Sequence, residues 1–132
     1  MMEVISFETE RPWRAVAETL EERAPACLGV NVATESATNQ SYQYIEAAYT
    51  PTVLVHKDSV ELHVQRRYER GVVGVYEEPE KGHYVLVADA SRAGDNRTKV
   101  DIYAPTAGSD PLVQAVQAWI KGESTQCPDW TE

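Results

Sequence analysis

Lys57-Asp58-Ser59-Val60-Glu61-Leu62-His63-Val64-Gln65-Arg66-Arg67-Tyr68 is the stretch that decides the fold class of this chain. Val60, Leu62, Val64 and Tyr68 share one side of a period of two, while Glu61, His63, Gln65 and Glu69 share the other. Such alternation predicts a half-buried β-strand, apolar toward a core and polar toward water. Lys57-Asp58 predicts a tight turn into that strand, which makes the preceding run, Thr52 to Lys57, its antiparallel neighbour.

The pattern extends in both directions. Upstream, Tyr42 to Thr50 is another β-prone run, and Pro51 predicts a break because proline donates no ladder hydrogen bond. Leu28, Val30 and Val32 alternate before it, and the polar run Thr34 to Ser41 predicts a loop. Downstream, an acidic turn over 77–82 precedes a strand carrying Tyr84, Leu86 and Ala88. A turn at 93–96 then leads to a last strand, Thr98 to Tyr103. Val4 to Phe7 forms a short first strand.

Two helices flank this meander. Thr9 is placed to cap the first and Pro12 to sit in its first turn; Trp13, Val16, Ala17, Leu20 and Ala24 form its apolar stripe, ending near Pro25. In the second, Asp110 caps, Pro111 takes the first position, and Gly122 stops the chain left-handed. Its stripe is Leu112, Val113, Val116, Trp119 and Ile120, so Trp119 is expected to anchor it in the core. The expected fold is therefore α+β: one domain over residues 1–132, a curved antiparallel meander of about five to seven strands with both helices on one face.

Charge narrows the partners. The 132 residues hold 12 Lys and Arg against 21 Asp and Glu, a net charge of −9, which argues against nucleic acid and suits a basic protein partner. No apolar run is long enough to span a membrane. Cys27 and Cys127 match no zinc or redox spacing, leaving free thiols, one reactive thiol or a disulfide. Both follow helices placed on one sheet face, so a disulfide is expected, and with it an oxidising compartment such as the periplasm or cell envelope; the alternative is a cytoplasmic protein with free thiols. The N-terminus shows no apolar signal core, so any leader would already be absent from this chain.

Strand, helix, meander, closing helix is an order that resembles the helix-grip architecture of Bet v 1 and START-type proteins. A second resemblance, to small uncharacterised bacterial envelope proteins, rests on Phe7, Trp13, Leu20, Cys27, Trp119, Gly122, Cys127 and Pro128. It implies an envelope-facing domain with a disulfide and no established activity. No lipobox cysteine stands near the start.

Catalytic motifs are absent: no GxSxG, P-loop, GxGxxG or HExxH occurs. No catalytic, cofactor or metal residue is assigned. His56 and His63 lie across the Lys57-Asp58 turn with Glu61 adjacent, a set that reads either as a metal pair or general base, or as exposed histidines on a polar face. Asp89 and Asp101 read either as paired cavity carboxylates or as solvent-facing groups. Seven Tyr against one Phe suit cavity walls and interfaces. Trp13, Tyr44, Tyr68 and Tyr84 are the candidate cavity lining, and Arg66, Arg67 and Arg70 a candidate protein contact. Three functions follow: a non-enzymatic envelope domain binding a hydrophobic ligand or a protein partner, an immunity-type inhibitor of a basic toxin, or a helix-grip cavity enzyme.

Overall fold

The structure, a computed structural model, describes residues 2–37, 42–70, 80–105 and 110–130, apart from the side chains of Ser36, Gln43 and Arg70. The strands are β1 (Glu3–Thr9), β2 (Asn31–Ala37), β3 (Tyr42–His56), β4 (Ser59–Arg70), β5 (His83–Gly94) and β6 (Arg97–Ala104). Helix α1 (Trp13–Leu28) follows β1, and α2 (Pro111–Lys121) follows β6. All six strands form one antiparallel sheet in the order β1-β6-β5-β4-β3-β2. The meander runs outward-to-inward from β2 to β6, and β1 closes beside β6. This is an α+β fold with a helix-grip-like order of elements.

Alternation in β4 sorts the sheet into two faces. Val60, Leu62 and Val64 are fully buried and meet Leu86, Ala88 and Ala90 of β5, with Val100 and Ile102 of β6 beyond. Both helices cover this inner face. Val16, Leu20 and Leu28 from α1 and Val113, Val116, Trp119 and Ile120 from α2 all reach zero exposure within the same core. Trp13 is 8 % exposed inside it. The indole N–H of Trp119 donates to the Gln126 carbonyl at 2.8 Å, which removes the cost of burying that group.

The closing helix follows its sequence signals. Asp110 accepts from the Leu112 amide at 2.9 Å, and Gly122 takes φ 75°. A side chain at Gly122 would meet the Arg11 stem at 3.0 Å. Arg11 was not legible as important, yet its guanidinium donates to the Trp119 and Ile120 carbonyls at 2.9 and 3.0 Å and to the Thr19 hydroxyl at 3.1 Å. It thus satisfies the last carbonyls of α2 from the start of α1.

Four boundaries depart from expectation. Thr9 ends β1 instead of capping; Pro12 occupies the N-cap of α1 and has no side-chain cap bond. The helix continues through Pro25 to Leu28, because Ala24, Cys27 and Leu28 are held in the core. Residues 34–37 continue β2 instead of looping, paired with 42–45 of β3. Pro51 does not divide β3. The Tyr49 amide donates toward β2, to the Val30 carbonyl at 2.8 Å, so residue 51 also faces that side, beyond the last β2 pair. Its missing N–H falls past the β2 ladder, where the chain at Gly29 approaches the proline ring.

Cys27 and Cys127 are bonded, with Cα atoms 5.1 Å apart and 100 residues between them. The bond ties the end of α1 to the tail beyond α2.

Candidate functional site

The inner face changes character along one strand. Past Val64, the inward positions of β4 are Arg66 and Tyr68, which pair with Tyr49 and Ala47 of β3. Arg66, Tyr68 and Tyr49 are half-buried, in contrast to the sealed triplet before them. The Arg66 guanidinium carbon lies 4.8 Å from the Tyr68 ring centre, a cation–π arrangement. Trp130 comes back from the tail to set its ring 4.5 Å from that of Tyr49. The disulfide at Cys127 explains how so terminal a residue holds a fixed place.

Electrostatics at this end are set by the Arg66 cation among rings, with the Asp110 carboxylate near enough to act on Tyr49. Burial raises the Tyr49 phenol above its ordinary value; the charge and hydrogen bond of Arg66 pull it the other way, and Asp110 adds to the rise. The Nε of Arg66 is buried with no hydrogen-bond partner among the described residues. Gly82 fixes the backbone here: at φ 86°, an added side chain would lie 1.9 Å from the Arg66 carbonyl oxygen, so only glycine lets the start of β5 approach. Gln65 seals the contact by donating to the Gly82 carbonyl at 3.2 Å. The arrangement can hold an anionic group against a guanidinium while apolar rings flank it.

Four cavity-lining candidates part company. Trp13 belongs to the packed core and Tyr68 to the open inner end. Tyr44 and Tyr84 are on the outer face. Tyr44 shares that face with Glu46, to which its hydroxyl donates at 3.4 Å. Tyr84 was expected to point with Leu86 and Ala88, but a β-bulge at Val85 shifts the register by one, so Tyr84 pairs with Gln65 and its ring meets His63 edge-on at 5.7 Å. One extra residue flips a side chain to the opposite face.

The arginine patch is also divided. Successive strand residues point to opposite faces, so Arg66 turns inward while Arg67 donates outward to the Glu80 carbonyl at 2.7 Å. Arg70 sits opposite Glu46, its side chain outside the described set. Arg66 and Arg67 thus lie on opposite faces of the sheet.

On the outer face, His56 and His63 are not opposite each other; they pair with Ser59 and Thr52. Glu61 between them joins both, one oxygen 2.7 Å from His56 Nε2 and the other 3.0 Å from His63 Nε2. Hydrogen bonds from His63 and then His56 hold the Glu61 carboxyl below its ordinary range. Among the described residues no three His, Cys, Asp or Glu stand where they could hold a metal ion. Glu61, Asp89 and Asp101 form a row across β4, β5 and β6. Burial, then the neighbouring carboxylates, raises Asp89, and Ser6 donates to Asp101 at 2.6 Å. No described helix is long and apolar enough to cross a membrane.

Shallow depressions lie beside the open inner end and elsewhere on the described surface. One of about 570 Å³ runs along β2, lined by residues 30–35 and Trp130.

No protein-family model and no curated protein matches the chain. Among solved structures, it is similar to the crystal structure of Ara h 8.0201, a Bet v 1 family protein, with 12% sequence identity and a TM-score of 0.36, over 92% of this chain and 97% of that chain.

Proposed function

We propose that this protein is a non-enzymatic binding domain of an oxidising compartment such as the periplasm or cell envelope. Its site is the open inner end formed by Tyr49, Arg66, Tyr68 and Trp130. The ligand is an apolar molecule, or an apolar side chain of a protein partner, that presents an anionic group to Arg66. One observation carries the reading: on a face whose other buried side chains are mainly aliphatic, a half-buried guanidinium stands beside aromatic rings with no partner for its Nε among the described residues. The disulfide supports the compartment, since such bonds persist where thiols are not kept reduced.

Titration with 1-anilinonaphthalene-8-sulfonate, an apolar ring system bearing an anion, tests the reading. The wild-type protein is expected to enhance its fluorescence saturably, and Arg66→Met to bind at least about tenfold more weakly at an unchanged melting temperature. Equal affinity of the two proteins, or no saturable binding, overturns it.

A second reading is favoured by the Glu61–Asp89–Asp101 row and the net charge of −9. Under it, the outer face docks a basic protein, as an immunity-type inhibitor does, and affinity falls steeply with added salt.

A further inference from the structure

The strand at the far edge of the sheet has a built-in direction and chemistry. β2 ends the strand order, and no described strand lies beyond it. The Tyr49 amide bonds to the Val30 carbonyl, and the register continues as Asn31↔Ala48 and Val32↔Ala47. In an antiparallel ladder the bonded pairs alternate. Val30, Val32 and Thr34 therefore turn their backbone groups toward β3, while Asn31, Ala33 and Glu35 turn theirs to the open edge.

The two sides of that edge differ. Val32 shares the inner side with Ala47, and there Trp130 forms the wall of the groove along residues 30–35. On the outer side stand Glu35 and, across from Ala33, Glu46, joined by Tyr42 and Tyr44 whose hydroxyls donate to these carboxylates at 3.0 and 3.4 Å. An incoming strand would thus meet apolar surface with every second side chain and carboxylates with the others. Within Asn31–Ala37 there is no proline and no lysine, and the register shows no bulge, so three of the usual blocks to strand addition are missing from this segment.

We propose that β2 accepts an extended segment of a basic partner protein as a seventh strand, one that alternates apolar with Lys or Arg side chains. Main-chain bonds at Asn31, Ala33 and Glu35 supply the affinity, and the alternation supplies the specificity. A second copy of this chain is the disfavoured occupant, since each carries a net charge of −9. The proposal does not rest on anion binding at Arg66, although both surfaces include Trp130.

The test uses the intact oxidised protein and an eight-residue peptide of alternating Val and Lys, against a Val/Glu peptide and a block peptide with all Val before all Lys. Heteronuclear NMR follows amides 31–37 and their exchange with solvent. The alternating basic peptide is expected to bind best and to slow exchange at Asn31, Ala33 and Glu35. Ala33→Pro, which removes an edge donor without touching the β3 ladder, is expected to weaken it at least about tenfold. If that variant fails to fold, Glu35→Lys decides: it must weaken the Val/Lys peptide by a similar factor. Equal binding of the block or Val/Glu peptide overturns the proposal, as does protection at residues away from β2. Concentration-dependent protection of the same amides without peptide assigns the edge to a second copy and overturns it too.

Discussion

One strand face carries two chemistries. Val60, Leu62 and Val64 lie under both helices at zero exposure, while Arg66 and Tyr68, the next inward positions of β4, are half-buried beside Tyr49 and Trp130. The pleat is the same, and the neighbour above differs. Helical side chains such as Leu20 and Trp119 fill the first region; in the second, among the described residues, Trp130 from the tail packs against Tyr49. Stability belongs to the sealed half, and the open half is where we propose that recognition takes place.

Reducing the disulfide breaks the comparison most severely. The bond closes 100 residues, which in the loop-closure model is worth about 4–5 kcal/mol. Cys127→Ser is expected to lose stability on that scale in urea unfolding and to release Trp130 from Tyr49, seen as a change in tryptophan fluorescence before unfolding. An intact Tyr49–Trp130 contact in the reduced protein would show that the tail holds itself.

Substitutions in the two halves sharpen it. Trp119→Ala removes a fully buried indole and is expected to cost about 3–5 kcal/mol. Arg66→Met, on the open half, is expected to cost under about 1 kcal/mol while removing anion binding. Comparable losses from both would mean that Arg66 is a structural residue. The smallest effect lies on the outer face. Glu61 has a folded pKa below its unfolded one, so its contribution is present above the ordinary carboxylate range and fades as pH falls through the lowered value. Acid titration of wild-type protein against Glu61→Gln should show stabilities that converge toward low pH; curves that stay parallel would contradict it.

Much of the scaffold was legible in the chain. Period-two alternation placed β4 and its neighbours, and Asp110, Pro111 and Gly122 bounded α2, because these signals act within a few residues of where they are read. Of the proposed site, Arg66 and Tyr68 were legible as candidates, but their grouping with Tyr49 and Trp130 was not. A bulge at Val85 moved Tyr84 to the other face, alternation parted Arg66 from Arg67, and Pro51 passed unbroken because β2 ends before it. Trp130 reaches Tyr49, and Arg11 reaches Trp119, across sequence separations that no local pattern records. Gly82 was the nearest thing to a signal, as a turn glycine whose close approach fixes the Arg66 backbone.

The division of the inner face is tested most directly by mapping the sulfonate probe onto the wild-type protein with NMR chemical shifts. The account predicts perturbations at Tyr49, Arg66, Tyr68 and Trp130, with the signals of Leu20, Leu62 and Trp119 unmoved. Shifts concentrated on Leu20, Leu62 and Trp119 would place the ligand between the helices and the sheet, and the sealed half would not be sealed.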